Sequence, residues 1–145
     1  MTRLIFAAMA ALATTVAAAA QTLPDLKGTW SGPWRTVIYG ANPHHPGSAP
    51  AADKPRIRDI TFTCEFEGQD GRLVWGKCWS DPARKEPFAG TAAADGKTVT
   101  GADMDGSLTF TLAAPDRMEA CYMHTGLGPT RSIVASCGTL RRAGR

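Results

Sequence analysis

The chain has 145 residues, and its 16 Lys and Arg residues against 13 Asp and Glu residues give a formal net charge of +3 at pH 7. This length supports one domain with a single core and excludes a core with an elaborate second lobe. No basic stripe interleaved with aromatic residues occurs, and much of the excess positive charge lies in the tail, which argues against nucleic-acid binding; the tail residues are Arg141, Arg142 and Arg145.

The first twenty residues have the pattern of a secretory signal peptide. A basic start at Arg3 precedes an uncharged apolar run that ends in Ala18-Ala19-Ala20, directly before Gln21. Such a run indicates an export signal rather than a membrane span. We therefore expect residues 1–20 to be removed, and residues 21–145 to form a single domain that is secreted or periplasmic in a bacterium, with no transmembrane segment.

The first predicted strand is followed by the longest connection, residues 40–55, which holds four prolines in sixteen residues. Its composition predicts a stiff, exposed loop. His44 and His45 are adjacent in it, so their side chains diverge unless the loop folds around a ligand. Because long loops gather at the open end of a barrel, both histidines are candidate ligand contacts at its mouth, with a solvated loop as the alternative.

Turn signals divide the rest of the chain at regular intervals. Asp70-Gly71, Asp95-Gly96 and Asp105-Gly106 favour tight hairpins, and turns about 8–12 residues apart are typical of an all-β sandwich or barrel. Hydrophobic residues alternate with polar ones between the turns, as in half-buried strands. Eight strands are predicted, at residues 28–39, 56–67, 72–80, 86–92, 97–103, 107–113, 117–124 and 131–141.

Eight strands joined by hairpins expose two sheet edges unless the first strand pairs with the last. We therefore predict an all-β fold, an eight-stranded up-and-down antiparallel barrel, with a two-sheet β-sandwich as the alternative. Small residues in the middle strands suit the tight curvature and close packing of a barrel. These residues are Gly90, Ala92 and Gly101.

The four cysteines indicate two disulfides in an oxidising compartment, although three pairings are open. One pair of cysteines flanks the Asp70-Gly71 turn and the other flanks the turn at residues 126–129, so each pair could clip a hairpin and stabilise the fold by about 3 kcal/mol. Without a C-x-x-C spacing and with few histidines, we expect no metal site. The proposed pairs are Cys64 with Cys78 and Cys121 with Cys137.

The first of these pairs conflicts with the simplest placement of two tryptophans. If Trp75 and Trp79 point into the barrel, strand alternation turns Cys78 outward while Cys64 points inward. The pair then requires either a β-bulge near Gly76 or two outward-facing tryptophans.

Gly28-Thr29-Trp30 opens the first predicted strand, and Arg141-Arg142 ends the last. This arrangement resembles the calycin barrels, which include lipocalins and avidins, where a G-x-W tryptophan plugs the closed end against a basic residue. The resemblance implies a barrel floor made by Trp30 with Arg141 or Arg142. In avidins, an Asn two positions after the Trp and a Ser six positions after it bind biotin. Gly32 and Thr36 occupy those positions here, so Thr36 is a candidate ligand contact while biotin binding is not expected. The chain is also similar to secreted bacterial proteins of this length.

Large aromatic residues on the predicted strands either fill the core or line a small apolar pocket. The candidates for the pocket wall are Trp34, Trp75, Trp79 and Tyr122. The first functional hypothesis is therefore a non-enzymatic binding module for a small, largely apolar ligand, which needs no cofactor.

No residue spacing in the sequence indicates a catalytic nucleophile or an acid–base pair. The sequence contains neither a G-x-S-x-G elbow nor an S-x-x-K pair. Asp103-x-Asp105-Gly106 resembles part of a calcium loop, but it lacks the later carboxylates and is better explained as a hairpin turn. A second hypothesis is a periplasmic inhibitor of a protease or lysozyme that acts through the 40–55 loop, since a rigid loop loses little entropy on binding. A structural envelope protein is the third.

Overall fold

A computed structural model describes residues 23–40, 54–124 and 132–144 of the chain. Each strand pairs antiparallel with its sequence neighbour, and β1 also pairs with β8, so the sheet closes into a barrel. This closure confirms the predicted all-β up-and-down barrel and excludes the two-sheet sandwich. The eight strands are β1 (Gly28–Gly40), β2 (Arg56–Asp70), β3 (Leu73–Trp79), β4 (Glu86–Ala92), β5 (Thr98–Ala102), β6 (Gly106–Ala114), β7 (Arg117–His124) and β8 (Ser132–Arg142).

Glycines shape two of the tight turns as the sequence predicts. Gly71 and Gly96 have φ angles of +54° and +63°, which residues with a Cβ adopt at a cost in free energy. Gly106 behaves differently, because it begins β6 rather than closing a turn. A Cβ at Gly106 would approach the Tyr122 ring to 2.7 Å, so the glycine there makes room for an aromatic side chain.

The half of the barrel near the start of β1 is filled by its own side chains. Phe66, Phe88 and Phe110 come from β2, β4 and β6, and their ring centroids lie 5.2–5.7 Å apart in edge-to-face or tilted contacts. Such geometries are the ones that aromatic pairs prefer. Aliphatic and Met side chains close the space around the rings: Val74, Val99, Leu108, Met118 and Leu140.

Trp30 forms the floor of the barrel, because it is fully buried and its indole Nε1 donates a hydrogen bond of 2.8 Å to the Leu26 carbonyl. The Arg142 guanidinium covers the ring at 4.5 Å from the centroid and also donates to the Lys27 carbonyl. Arg141, the other candidate for this position, is exposed on the outer face. Neighbouring residues of a strand point to opposite faces, so only one of the two arginines can reach Trp30.

Both predicted disulfides are present. Cys64 and Cys78 are buried in the barrel interior, whereas Cys137 is exposed on the outer face and its partner Cys121 is half-buried. The second bond therefore clips the β7–β8 hairpin from outside.

The conflict over the first disulfide is resolved by the position of Trp75, which points outward and is 45% exposed. The register of the β2–β3 pair shifts between Phe66 and Gly68 on β2, so the β-bulge lies there and not at Gly76. The Trp75 ring covers Gly68, where a Cβ would come within 2.1 Å of the indole.

No helix long and apolar enough to span a membrane occurs among the residues that the structure describes. The predicted signal peptide, residues 1–20, lies outside those residues, so export stays a prediction.

Candidate ligand-binding site

The end of the barrel opposite Trp30 holds a cavity of about 60 Å³, which we call the cup. Strand β1 ends there, and the β3–β4 and β5–β6 connections border its mouth. Side chains from five strands form its inner wall: Trp34, Ile60, Phe62, Tyr122, His124, Val134 and Ser136, with Cys78 of the inner disulfide. The mouth is lined by Trp79, Ser80, Asp81, Arg84, Glu86, Asp103 and Asp105.

The apolar side of the cup is built around a stacked aromatic pair. The Trp34 and Phe62 ring centroids are 3.9 Å apart, with 23° between the ring planes. Gly138 on β8 admits the indole, because a Cβ at that position would lie 2.2 Å from Trp34 Cδ1. Ile60 and Val134 extend the same apolar surface.

The indole N–H of Trp34 is the most unusual polar group of this wall. Trp34 is only 2% exposed, and its Nε1 atom has no hydrogen-bond partner among the described residues. A buried donor without a partner costs about 1–3 kcal/mol.

Hydroxyl groups form the polar side of the cup near β8. Ser136 lines the cavity, and its Oγ donates a 2.7 Å hydrogen bond to Thr36 Oγ1; both side chains are buried. Thr36 therefore lies behind the wall and holds Ser136 in position, rather than lining the cavity itself.

Tyr122 and Asp103 connect the wall to the mouth. The Tyr122 hydroxyl hydrogen-bonds to the Asp103 carboxylate. Asp103 Oδ1 also accepts hydrogen bonds from the backbone amides of Asp105 and Gly106, at 3.0 and 2.6 Å. The β5–β6 connection is thereby fixed at the edge of the cup.

The pKa of the Tyr122 hydroxyl reflects both its burial and the carboxylates at the mouth. Burial raises the pKa of this hydroxyl far above its usual range, and the negative charges of Asp103, Glu86 and Asp105 raise the pKa further. The phenol consequently keeps its proton at neutral pH and serves as a hydrogen-bond donor.

The structure brings together three of the predicted pocket residues: Trp34, Trp79 and Tyr122. Trp79 lies at the mouth, with Lys85 Nζ 4.2 Å from its ring centroid. Trp75 was predicted to line the pocket, but it lies on the outer face. Because Cys78 faces inward, strand alternation turns Trp75, three residues earlier, outward. His44 and His45 lie outside the described residues.

Sequence reasoning missed several cup residues. Phe62 lies two residues from the inward-facing Cys64, and His124 lies two residues from Tyr122. The two-residue period of a strand therefore predicts that both face inward. Apart from Trp79, the residues of the mouth carried no such signal, because they lie in two separate connections or at the strand end beside one of them. Within residues 23–40, 54–124 and 132–144, no group of three His, Cys, Asp or Glu side chains is arranged to hold a metal ion.

Comparisons with known proteins give one structural likeness. No protein-family model matches the chain, and no curated protein matches it. Among solved structures, the S-type phycobiliprotein lyase CPES from Guillardia theta aligns with 13% sequence identity over 83% of this chain and 89% of that chain, at a TM-score of 0.36. A likeness at this level carries no inference about activity.

Proposed function

We propose that the protein is a non-enzymatic binding module that holds a small, largely apolar ligand in the cup. The apolar wall built on the stacked Trp34–Phe62 pair is the observation that carries this proposal. Apolar walls with a few placed polar groups are the usual composition of small-molecule sites. Tyr122 keeps its proton and lies in the wall, where its hydroxyl oxygen can accept a hydrogen bond from a ligand while its O–H donates to Asp103.

The size of the cup limits the ligand. One water molecule needs roughly 10–15 Å³ of cavity volume, whereas pockets for drug-sized molecules reach roughly 300–1,000 Å³. At about 60 Å³, the cup accepts a single ring or the end of a longer molecule. The rest of the interior is occupied by the phenylalanine cluster.

The proposed compartment is the periplasm or the medium. Two disulfides suit an oxidising environment, and residues 1–20 have the pattern of an export signal. The calycin resemblance of the Gly28-Thr29-Trp30 opening is in keeping with a barrel that is closed at one end and binds at the other. The hydrolase inhibitor and the structural envelope protein stay predictions; the loop that the inhibitor would use lies mostly in residues 41–53, outside the described residues.

The proposal is tested by isothermal titration calorimetry with phenoxyethanol, a small molecule with one aromatic ring. We expect saturable one-to-one binding. Trp34→Leu removes the stacked ring from the wall, and we expect it to weaken binding about tenfold, the equivalent of about 1.4 kcal/mol. Trp75→Leu makes the same change on the outer face and should leave affinity unaltered. Binding that is lost in the Trp75 variant but kept in the Trp34 variant would refute the assignment to the cup.

A further inference from the structure

The two disulfides of the barrel differ in how far solvent reaches them. Cys64 and Cys78 are buried in the interior, whereas Cys137 is exposed and Cys121 is half-buried on the outer wall. In thiol–disulfide exchange a thiolate must reach one sulfur of the bond, so burial protects a disulfide and exposure makes it reactive. Since the four cysteines of the chain are all in these two bonds, the outer bond is the one open to a dissolved thiol.

The outer bond lies in the middle of the wall formed by β7 and β8, away from the ends of both strands. Cys121 and Cys137 are directly opposite each other in the register of these strands. The next outward-facing pair toward the open end of the barrel is Met123 opposite Ala135, and Met123 is itself 59% exposed. Solvent therefore covers the wall between the bond and the open end.

The side chains beside the two sulfurs carry opposite charges. Arg35 on β1 is the register partner of Cys137 and is exposed on the same outer face. Beside Cys121, the outward-facing residue two positions earlier on β7 is Glu119. Asp59 lies opposite Arg35 on β2, one strand further from the bond, so it offsets the arginine only in part. An incoming thiolate is attracted toward Cys137 and repelled from Cys121.

We propose that Cys121–Cys137 is a thiol–disulfide exchange site for low-molecular-weight dithiols, and that Cys64–Cys78 is inert under the same conditions. One thiolate of the dithiol attacks Sγ of Cys137, the disulfide bond breaks, and the Cys121 sulfur leaves as a thiolate that takes up a proton. The second thiol of the dithiol then displaces Cys137 from the mixed disulfide. The dithiol is oxidised to its own disulfide by two electrons, and its two protons are balanced by those of the two cysteine thiols.

This site lies on the outside of the barrel and does not depend on ligand binding in the cup. Exchange opens the outer clip of the β7–β8 hairpin, while the inner disulfide continues to join β2 to β3. The strand pairings that close the barrel do not use the sulfur atoms. We therefore expect the barrel to stay folded after the outer bond is reduced.

The test is reduction of the oxidised protein by dithiothreitol near neutral pH without denaturant. Aliquots are quenched with excess N-ethylmaleimide, and the labelled cysteines are identified by peptide mass spectrometry. From the initial rates, we expect Cys121 and Cys137 to be labelled at least about tenfold faster than Cys64 and Cys78. In denaturing urea the four cysteines should be labelled at similar rates, because the difference comes from the fold.

Two arginine variants test where the thiolate attacks. Arg35→Gln removes the positive charge beside Cys137, and we expect it to slow labelling of the outer pair about threefold at low ionic strength. Arg141→Gln removes the same charge from an exposed residue further along the outer face of β8, and it should leave the rate unchanged. Added salt should reduce the difference between the two variants, since the attraction is between exposed charges.

The outcomes that contradict the proposal are distinct from any result on the cup. Equal initial rates for the four cysteines in the folded protein would show that reduction proceeds through unfolding of the whole barrel, and they would overturn the exchange site. Faster labelling of the inner pair would overturn it as well. Equal rates for Arg35→Gln and Arg141→Gln would refute the attack on Cys137 beside Arg35. Phenoxyethanol binding enters none of these measurements, so the proposed function stands or fails separately.

Discussion

Asp95 shows how one side chain organises a turn far from the cup. In the β4–β5 connection, its Oδ1 atom accepts hydrogen bonds from the amides of Lys97 and Thr98, at 2.8 and 2.9 Å, and Oδ2 accepts one from the Thr98 hydroxyl at 2.7 Å. The two backbone amides, followed by the hydroxyl, lower the pKa of this carboxyl to about 2. Aspartate thus supplies acceptors that the tight turn around Gly96 requires.

This lowered pKa predicts a pH dependence of stability. A carboxyl whose pKa is lower in the folded state stabilises the fold above its ordinary pKa, and that contribution is lost as the pH falls through about 2. We expect Asp95→Asn to lower the melting temperature near neutral pH, and the difference from the unaltered protein to shrink between about pH 4 and pH 2. Thermal unfolding followed by circular dichroism at several pH values measures it.

The control for this prediction is Asp116→Asn in the β6–β7 turn, where the carboxylate makes no hydrogen bond among the described residues. Its effect on the melting temperature should vary little over the same pH range. An Asp95→Asn difference that is constant from neutral to acid pH would contradict the role given to the turn hydrogen bonds.

At the scale of elements, the two clipped hairpins differ in where their disulfides lie. Cys64–Cys78 joins β2 to β3 inside the barrel, and Cys78 forms part of the cup wall. Cys121–Cys137 joins β7 to β8 on the outer face. Their sequence separations of 14 and 16 residues are so similar that chain entropy alone would give both bonds the same effect.

Removing each disulfide in turn should therefore separate the contribution of chain entropy to the free energy of unfolding from the contribution of core packing. We expect Cys121→Ser with Cys137→Ser to lower the free energy of unfolding by about 3 kcal/mol and to leave phenoxyethanol affinity intact. Cys64→Ala with Cys78→Ala should cost more, because it also removes buried sulfur from the core, and should weaken binding in the cup. Urea unfolding and calorimetry report the two quantities. Equal losses of stability, or loss of binding in the outer variant alone, would contradict this division.

Across the whole molecule, the features that could be predicted from the sequence are those that depend on local residue patterns. Alternation and Asp-Gly turns are properties of neighbouring residues, so they indicated eight strands whose ends agree closely with those of the structure. Closure followed from the cost of exposed edges. The orientation of Trp75 did not follow, because a large ring was assigned to the core although this one covers Gly68 on the outer face.

The residues of the mouth could not be read from the sequence for a related reason. Glu86 begins β4 and Asp103 lies in the β5–β6 connection, and only the register of β4 through β6 brings them to one opening. Strand periodicity fixes the face of a side chain, whereas it does not fix which loops meet. The inner wall was therefore partly predictable and the mouth was not.

The floor of the barrel has a further consequence for how the chain can be connected. Arg142 donates to the Lys27 carbonyl at 3.1 Å, and the Ala143 amide donates to the Thr29 carbonyl at 2.8 Å, so the two ends of the described chain run side by side beneath Trp30. A short Gly/Ser linker can span such neighbours. New ends can be opened between Gly71 and Arg72, where Cys64–Cys78 still holds the two cut strands together.

Such a circular permutant should fold into the same barrel and bind phenoxyethanol with unchanged affinity, as judged by its circular dichroism spectrum and by calorimetry. Failure to fold with the disulfides formed would mean that the native order of the strands is needed to reach the barrel. Success would mean that the barrel is a ring without a required starting point, in which the eight strand pairings, and not the position of the chain ends, specify the fold.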